Sequence, residues 1–218
     1  MSVASGAELV LASASPRRRL LLAGLGIEPL VRPTTVDESW PDDNPGQAVA
    51  LAERKLEWSL ERHPVGTVIL AADTIVRLDG CVLGKPLDSE TARAMLAALQ
   101  GREHIVTSGV AVGVAGAGRW TARVDSTVRL RSLSAGRIAD YVAGGSPLDK
   151  AGAYAVQDAA GAFPDPHRIN DADRRGRFEP RDSWLVEYVS GSLSNVIGLP
   201  LVETAVLLRR AGIEVNHD

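Results

Sequence analysis

Apolar residues recur along the chain with two spacings, one typical of strands and one typical of helices. Apolar runs predict four strands, at 9–12, 68–78, 105–115 and 120–130. Spacings of three and four residues predict five helices, at 16–23, within 44–62, and at 89–100, 134–142 and 199–210. Because helices and strands are interspersed, we expect an α/β fold.

The helix within 44–62 has an apolar face that also carries a lysine. Five small or apolar residues share this face: Ala48, Leu51, Ala52, Leu56 and Ser59. Lys55 lies on the same face, where a lysine is normally out of place. Lys55 is therefore a candidate functional residue.

A tight turn follows the strand at 68–78. Asp79-Gly80 is a strong signal for a two-residue hairpin, in which Leu78 pairs with Cys81. Continued backwards, this register makes Lys85 face Thr74. A loop one residue longer or shorter would change the facing but keep the two side chains near each other.

Three consecutive arginines, Arg17 to Arg19, begin the first predicted helix. Ser15 is its expected N-cap and Pro16 its first residue. Arginines in a first turn oppose the helix dipole, unless an anion lies between them and the unpaired backbone N–H groups. A phosphate bound by paired guanidinium contacts fits this position. Three exposed arginines on a surface helix fit it equally well.

Asp73 interrupts an apolar strand, where a lone carboxylate is costly unless it pairs or binds a metal. Other charged residues also lie at element ends or on apolar faces: Arg17, Arg18, Lys55, Lys85, Lys150, Asp37, Glu38 and Asp149. Carboxylates bind Mg²⁺, while basic groups bind the remaining oxygens of a polyphosphate. Ordinary ion pairing explains any one of these residues, but the set favours a polyphosphate with a divalent cation.

Composition and charge exclude several classes of protein. The 218 residues carry a net charge of −3 and only 4% aromatic residues, so we expect no nucleic-acid partner. No stretch is long and apolar enough to cross a bilayer, and no basic segment precedes the first apolar run. A single cysteine, Cys81, fits a reducing compartment. We therefore expect a cytoplasmic protein without a membrane partner.

The sequence predicts neither a phosphate-binding P-loop nor a zinc site. The segment GCVLGKP is one residue too short for a phosphate-binding P-loop, and Pro86 replaces its metal-binding hydroxyl residue. The four histidines have no spacing typical of zinc ligands.

Seven segments, in this order, resemble the Maf family of nucleoside triphosphate pyrophosphatases: LASASPRR, VDES, LAERK, AADTIV, LGKP, LDKAGAYAVQ and SNVIGLPL. The resemblance covers nearly the whole chain. It implies one domain, 1–218, with an α/β fold like that of the inosine triphosphate pyrophosphatases. It also implies a long curved mixed sheet, a cleft between two lobes, and a homodimer.

The resemblance further implies hydrolysis of a nucleoside triphosphate to its monophosphate and pyrophosphate with a divalent cation, Mg²⁺ or Mn²⁺. Asp73 matches the catalytic base for water attack at the α-phosphorus, and with Glu38 it matches the metal-associated positions. The phosphate-binding positions are matched by Ser13, Arg17, Arg18, Lys55 and Lys85.

Arg17, Thr74 and Gln157 match the specificity positions of the branch that acts on dTTP and UTP. The Gln157 amide offers one donor and one acceptor, which complement O4 and N3–H of thymine and uracil. Cytosine reverses this pattern, although a flipped amide would partly follow it.

The chain departs from the family in a charged segment, 164–182, with five acidic residues and five arginines. Its composition is typical of a solvated or partly disordered insertion loop. A second hypothesis for the whole chain is a nucleotide-sensing partner protein in cell-division control. The presence of both Asp73 and Lys85 favours the enzyme.

Overall fold

A computed structural model describes residues 8–39, 44, 46–160, 169, 173, 176–180 and 183–215. The helices of this part are α1 (Pro16–Ala23), α2 (Gln47–Leu60), α3 (Ser89–Leu99), α4 (Ala135–Ala143), α5 (Leu193–Ile197) and α6 (Leu201–Arg210). The strands are β1 (Leu9–Leu11), β2 (Leu30–Val31), β3 (Val68–Leu78), β4 (Cys81–Leu83), β5 (Glu103–Val114), β6 (Arg119–Leu130), β7 (Arg177–Phe178) and β8 (Val186–Ser190). Short 3-10 helices span Ser146–Asp149, Ala151–Ala153 and Val156–Ala160. The predicted α/β class is confirmed.

The described strands form one mixed sheet. Its order is β2-β1-β3-β5-β6-β8-β7, and β4 pairs with β3 beside this path. β1 runs parallel to both β2 and β3. The pairs β3–β4, β6–β8 and β7–β8 are antiparallel.

The predicted hairpin between β3 and β4 is confirmed in its register. Leu78 pairs with Cys81, as a two-residue turn requires. Asp79 and Gly80 both have positive φ, 52° and 88°, which is the geometry that matches the twist of the flanking strands.

The ladder of this hairpin is shorter than predicted. Its last described pair is Val76 with Leu83, where β4 ends. Thr74 and Lys85 therefore lie beyond the paired residues, and the predicted facing of these two side chains is not part of the ladder.

Side-chain N-caps begin α3 and α4, and at the start of α5 Ser192 Oγ accepts a 3.0 Å hydrogen bond from the Asn195 N–H. Asp88 and Ser134 cap α3 and α4, accepting hydrogen bonds from the backbone N–H groups of Thr91 and Arg137. Ser15 occupies the predicted N-cap position of α1, but its side chain makes no capping hydrogen bond.

The chain divides into two compact units. The first comprises Met1–Asp73, Ser108–Val124 and Gly198–Asp218, and the second comprises Thr74–Thr107 and Asp125–Ile197. The single two-lobed domain implied by the family resemblance stays a prediction.

The core of the first unit lies where α2 packs on β1, β3 and β5. Its members are buried aliphatic side chains: Val10, Ala12, Ala52, Leu56, Ile69, Ala71 and Ala111. The closest approach is at Gly109, where an added Cβ would lie 2.3 Å from the carbonyl oxygen of Ala48. Only glycine allows β5 to come so close to α2.

The second unit is built around α3, which packs against α4 and the 3-10 helix Ala151–Ala153. Within this 3-10 helix Gly152 has φ 69°, and an added Cβ would lie 3.0 Å from Val76. His104 and Tyr154 are also buried here, with 2.6 Å between His104 Nε2 and the Tyr154 hydroxyl. Burial lowers the pKa of His104 to about 4, so the imidazole is neutral at pH 7.

Part of the charged segment 164–182 lies outside the described residues. Of the described part, Ile169 is fully buried and Asp173 accepts a 3.0 Å hydrogen bond from the backbone N–H of Ser194. Arg177–Phe178 forms β7, which pairs with β8. The interpretation of 164–182 as a charged insertion loop stays a prediction, and within it these described residues contact the rest of the second unit.

No helix in the described ranges is both long and apolar enough to span a membrane.

Gly109→Ala should destabilise the protein by about 1–3 kcal/mol, because the new methyl group overlaps the backbone of α2. Urea unfolding followed by circular dichroism measures this change. The matched control is Gly136→Ala in α4, where an added Cβ meets only Ser134 Oγ, at 4.0 Å. That variant should be neutral or more stable by about 0.5–1 kcal/mol. Equal stability of the two variants would contradict the close packing of β5 on α2.

Candidate active site

A buried lysine joins two carboxylates in the first unit. Lys55 extends from the apolar face of α2, and only 7% of its side chain is exposed. Its Nζ lies 2.6 Å from Glu38 Oε1 and 2.7 Å from Asp73 Oδ1. A buried ammonium group needs such partners, because desolvation alone is costly. These contacts bring together three of the candidate site residues, Lys55, Glu38 and Asp73.

The loop before α2 presents Glu38 through a local turn. The carboxylate of Asp37 accepts hydrogen bonds from the backbone N–H and hydroxyl of Ser39, at 2.8 and 2.7 Å. These hydrogen bonds lower the pKa of Asp37. Arg54 on α2 donates to the Asp37 carbonyl at 2.8 Å, which ties the loop to the helix. Glu38 is thus held between two fixed neighbours.

The N-terminus of α1 is organised by Ser13 and Arg18. Ser13 Oγ accepts hydrogen bonds from the Ser15 N–H at 3.3 Å and from Arg18 Nη1 at 2.9 Å. Arg18 Nε donates to the Gly198 carbonyl at 2.9 Å. Arg18 is buried, so its fork-shaped guanidinium ties the start of α1 to the segment that precedes α6.

The three arginines differ in environment. Arg17 is half-buried, whereas Arg19 is exposed and its Nε donates to Glu28 at 3.0 Å. Burial lowers the pKa of Arg18, the charges of Asp73 and Glu38 counteract this, and the charge of Arg17 adds to it. The two carboxylates that pair with Lys55, those of Asp73 and Glu38, therefore also act on the charge of Arg18.

The remaining predicted site residues belong to the second unit. Thr74 directly follows Asp73 on β3 and is half-buried, and Lys85 is exposed just after β4. Gln157 is half-buried in the 3-10 helix Val156–Ala160. The functional roles assigned to these residues, like those of the first unit, stay predictions.

Glu38 and Asp73 are suitable ligands for a divalent cation. Both carboxylates reach the same ammonium group, so their oxygens lie close together. Mg²⁺ is commonly bound by one or two carboxylates together with substrate phosphates and water. Among the described residues no group of three or more histidine, cysteine or acidic side chains could hold a metal by itself. These two carboxylates would supply the protein's oxygen ligands for such a cation.

Sequence reasoning missed one part of this site. The carbonyl of Gly198 accepts from Arg18 across 180 positions of the chain. Nothing in the local pattern around either residue signals this contact, because it depends on how α1 and the segment before α6 pack together.

Comparison with known proteins identifies the class. The Maf family, described as Maf-like protein, matches residues 8–166. The chain therefore belongs to the Maf family, which confirms the resemblance seen in the sequence.

Individual relatives match over nearly the whole chain. A dTTP/UTP pyrophosphatase of Anaeromyxobacter sp. (strain Fw109-5) is 47% identical over 214 residues, covering 96% of this chain and 92% of that protein. Proteins of the same name are 45% identical in Myxococcus xanthus, over 94% of this chain and 93% of theirs, and 41% identical in Bordetella pertussis, over 95% and 94%.

One solved structure is a more distant match. The nucleoside-triphosphatase, dITP/XTP pyrophosphatase, of Mycobacterium abscessus covers 58% of this chain and 75% of its own, at 13% identity and a TM-score of 0.34. A similarity this partial supports no conclusion about the fold or the function. The fold assignment rests on the family match.

Arg18→Lys should destabilise the protein by about 1–3 kcal/mol, although the charge is kept. A lysine cannot reproduce the fork that reaches both Ser13 and Gly198, so buried polar groups lose their partners. Urea unfolding measures the change.

The control is Arg19→Lys, one residue further along α1. Its exposed ion pair with Glu28 should contribute less than about 1 kcal/mol. If both variants unfold at the same urea concentration as the parent protein, Arg18 does not tie these segments together.

Proposed function

We propose that this protein hydrolyses dTTP and UTP to the nucleoside monophosphate and pyrophosphate, by attack of water at the α-phosphorus. It belongs to the Maf family, and curated relatives at 41–47% identity carry the name dTTP/UTP pyrophosphatase. The observation that carries the mechanism is the pairing of Asp73 with the buried ammonium group of Lys55.

Asp73 is the general base. Its Oδ1 is held by Lys55 at 2.7 Å, and the side chain is only 13% exposed. The fixed Oδ1 leaves Oδ2 to accept the proton of the attacking water. A base that is held in one orientation loses little entropy in the transition state.

Lys55 supports the base and also acts on the substrate. Its ammonium charge stabilises the nearly buried Asp73 carboxylate. An incoming triphosphate can displace Glu38, whose side chain is 50% exposed, and take its place on Nζ. The charge that holds the cluster together in the free protein then stabilises the developing negative charge on the phosphates.

The other phosphate ligands are Ser13, Arg17, Arg18 and Lys85. Arg17 is the better placed of the two arginines for direct contact, because it is half-buried whereas Arg18 is buried and already donates to Ser13 and Gly198. Arg18 then contributes charge and holds the Ser13 hydroxyl in place.

A divalent cation, Mg²⁺ or Mn²⁺, would be held by Glu38 and Asp73 and would supply neutralisation of charge on the triphosphate. The remaining ligands would be phosphate oxygens and water.

The nucleobase of the substrate is recognised by Arg17, Thr74 and Gln157. The Gln157 amide pairs with O4 and N3–H, the edge that thymine and uracil share.

We place the enzyme in the cytoplasm, where nucleoside triphosphates are found and where the exposed thiol of Cys81 stays reduced. The homodimer stays a prediction.

Pyrophosphate release from all common nucleoside triphosphates and deoxynucleoside triphosphates tests this function. With Mg²⁺ or Mn²⁺, release should be fastest with dTTP and UTP, and a chelator should abolish it.

Asp73→Asn should lower kcat by about 10²–10⁴-fold, because the amide cannot accept the proton. Its affinity for dTTP, measured by calorimetry, should change only a few-fold.

Asp79→Asn is the matched control. Asp79 belongs to the hairpin that follows β3, is exposed, and pairs with Arg102. This variant should keep the parent rate. Nucleotide binding without release by the parent protein would support the sensing protein instead, and full activity of Asp73→Asn would remove Asp73 as the base.

A further inference from the structure

One hydroxyl group contacts the turn that carries Gln157 on both sides of that residue. The 3-10 helix Val156–Ala160 is too short to fix its own position. The Tyr141 hydroxyl accepts a 3.3 Å hydrogen bond from the Ala155 N–H and donates a 2.8 Å hydrogen bond to Asp158 Oδ2. These two contacts lie on either side of Gln157 in the chain.

A second group of side chains supports Asp158. Ser146 Oγ donates to the same Oδ2 at 2.5 Å and accepts a 3.1 Å hydrogen bond from Lys150 Nζ. Lys150 is itself 10% exposed and pairs with Asp149 at 2.6 Å. Asp158 is therefore fixed by two hydroxyl donors, one of which is oriented by a nearly buried ammonium group.

The ring of Tyr141 is fixed as well. The indole of Trp184 contacts it edge-to-face, with ring centroids 5.1 Å apart. The guanidinium of Arg137 covers the Trp184 ring at 5.1 Å. Burial raises the pKa of Tyr141, and the Asp158 acceptor raises it further, so the hydroxyl keeps its proton and remains a donor.

Gln157 is half-buried and lies between Ala155 and Asp158 in this turn. Its orientation in a complex is set by the backbone of the turn and by the base it meets. An amide that can flip would accept cytosine as well as uracil, since the two bases exchange donor and acceptor. Selection of uracil needs the amide to meet the base in one orientation, and a backbone turn that is held still is one requirement for this.

We propose that Tyr141 and Asp158 are positioning residues for base selection, because they clamp the turn on both sides of Gln157. This inference rests on the proposed function, in particular on Gln157 as the residue that binds the base. Neither Tyr141 nor Asp158 takes part in the chemical step.

The test compares kcat and KM for UTP and CTP, and for dTTP and dCTP, in a set of full-length variants. Tyr141→Phe removes only the hydroxyl group, and its UTP/CTP ratio of kcat/KM should fall by roughly three- to tenfold, as expected for one misplaced hydrogen bond. The loss should lie mainly in KM, with kcat for UTP nearly unchanged. Asp158→Ala should lower the ratio as much, and Asp158→Asn, which keeps an acceptor oxygen, should restore most of it.

Tyr188→Phe is the control for loss of a tyrosine hydroxyl in the same unit. The Tyr188 hydroxyl donates to Glu103, which is exposed. This variant should keep the parent ratio. Thermal unfolding of every variant identifies any that is not folded, and Ser146→Ala, which removes one donor to Asp158, then replaces it with the same expected direction.

Two outcomes overturn the proposal, and they differ. If the parent protein prefers UTP and Gln157→Ala abolishes this preference, but Tyr141→Phe and Asp158→Ala keep it, the clamp does not position Gln157 and the proposed function stands. If the parent protein shows no preference for UTP over CTP, the base selection assigned to Gln157 fails, and the clamp has no selectivity to support.

Discussion

The organisation of the first unit depends on the need to neutralise one buried ammonium group. Lys55 lies on the face of α2 that packs on the sheet, and the two carboxylates that reach it there compensate for its lost hydration. Asp73 comes from β3 and Glu38 from the loop before α2, so three separate segments meet at one atom. Loss of either carboxylate would leave a buried charge short of a partner. The same contacts that make the packing tolerable therefore also assemble the groups that the proposed reaction uses.

The arginines at the start of α1 follow a similar logic. A cation beside a helix N-terminus is unfavourable in isolation. Arg18 is compensated by the Ser13 hydroxyl, by the Gly198 carbonyl and by the field of the two carboxylates near Lys55. Arg17 is less deeply buried than Arg18 and adds its charge to the same field. The three arginines thus differ in role. Arg18 holds two buried segments together, Arg17 is a candidate phosphate ligand, and Arg19 is an exposed surface residue.

Features that depend on neighbouring residues were predictable from the sequence. The hairpin at Asp79-Gly80, its register and the buried face of α2 all follow from local chemistry, and the structure has them. The same local pattern marked Lys55 as a candidate residue, but the carboxylates that it meets depend on the conformation of the loop before α2.

Features that depend on distant contacts were not predictable. The short 3-10 helices after α4, and the strands β7 and β8, have no regular apolar period of their own. In the charged segment, Ile169 and Asp173 are anchored by packing and by the Ser194 N–H, which composition cannot reveal. The clamp formed by Tyr141 and Asp158 is likewise visible only once α4 and the turn at Gln157 are seen together.

The central claim is that Asp73 directs water to the α-phosphorus. Hydrolysis of dTTP in water enriched in ¹⁸O, followed by mass spectrometry of both products, tests it most directly. Attack at the α-phosphorus places the label in the phosphate of dTMP and leaves pyrophosphate unlabelled. Label in pyrophosphate would mean attack at the β-phosphorus, and would contradict the proposed role of Asp73 and of the lysine that holds it.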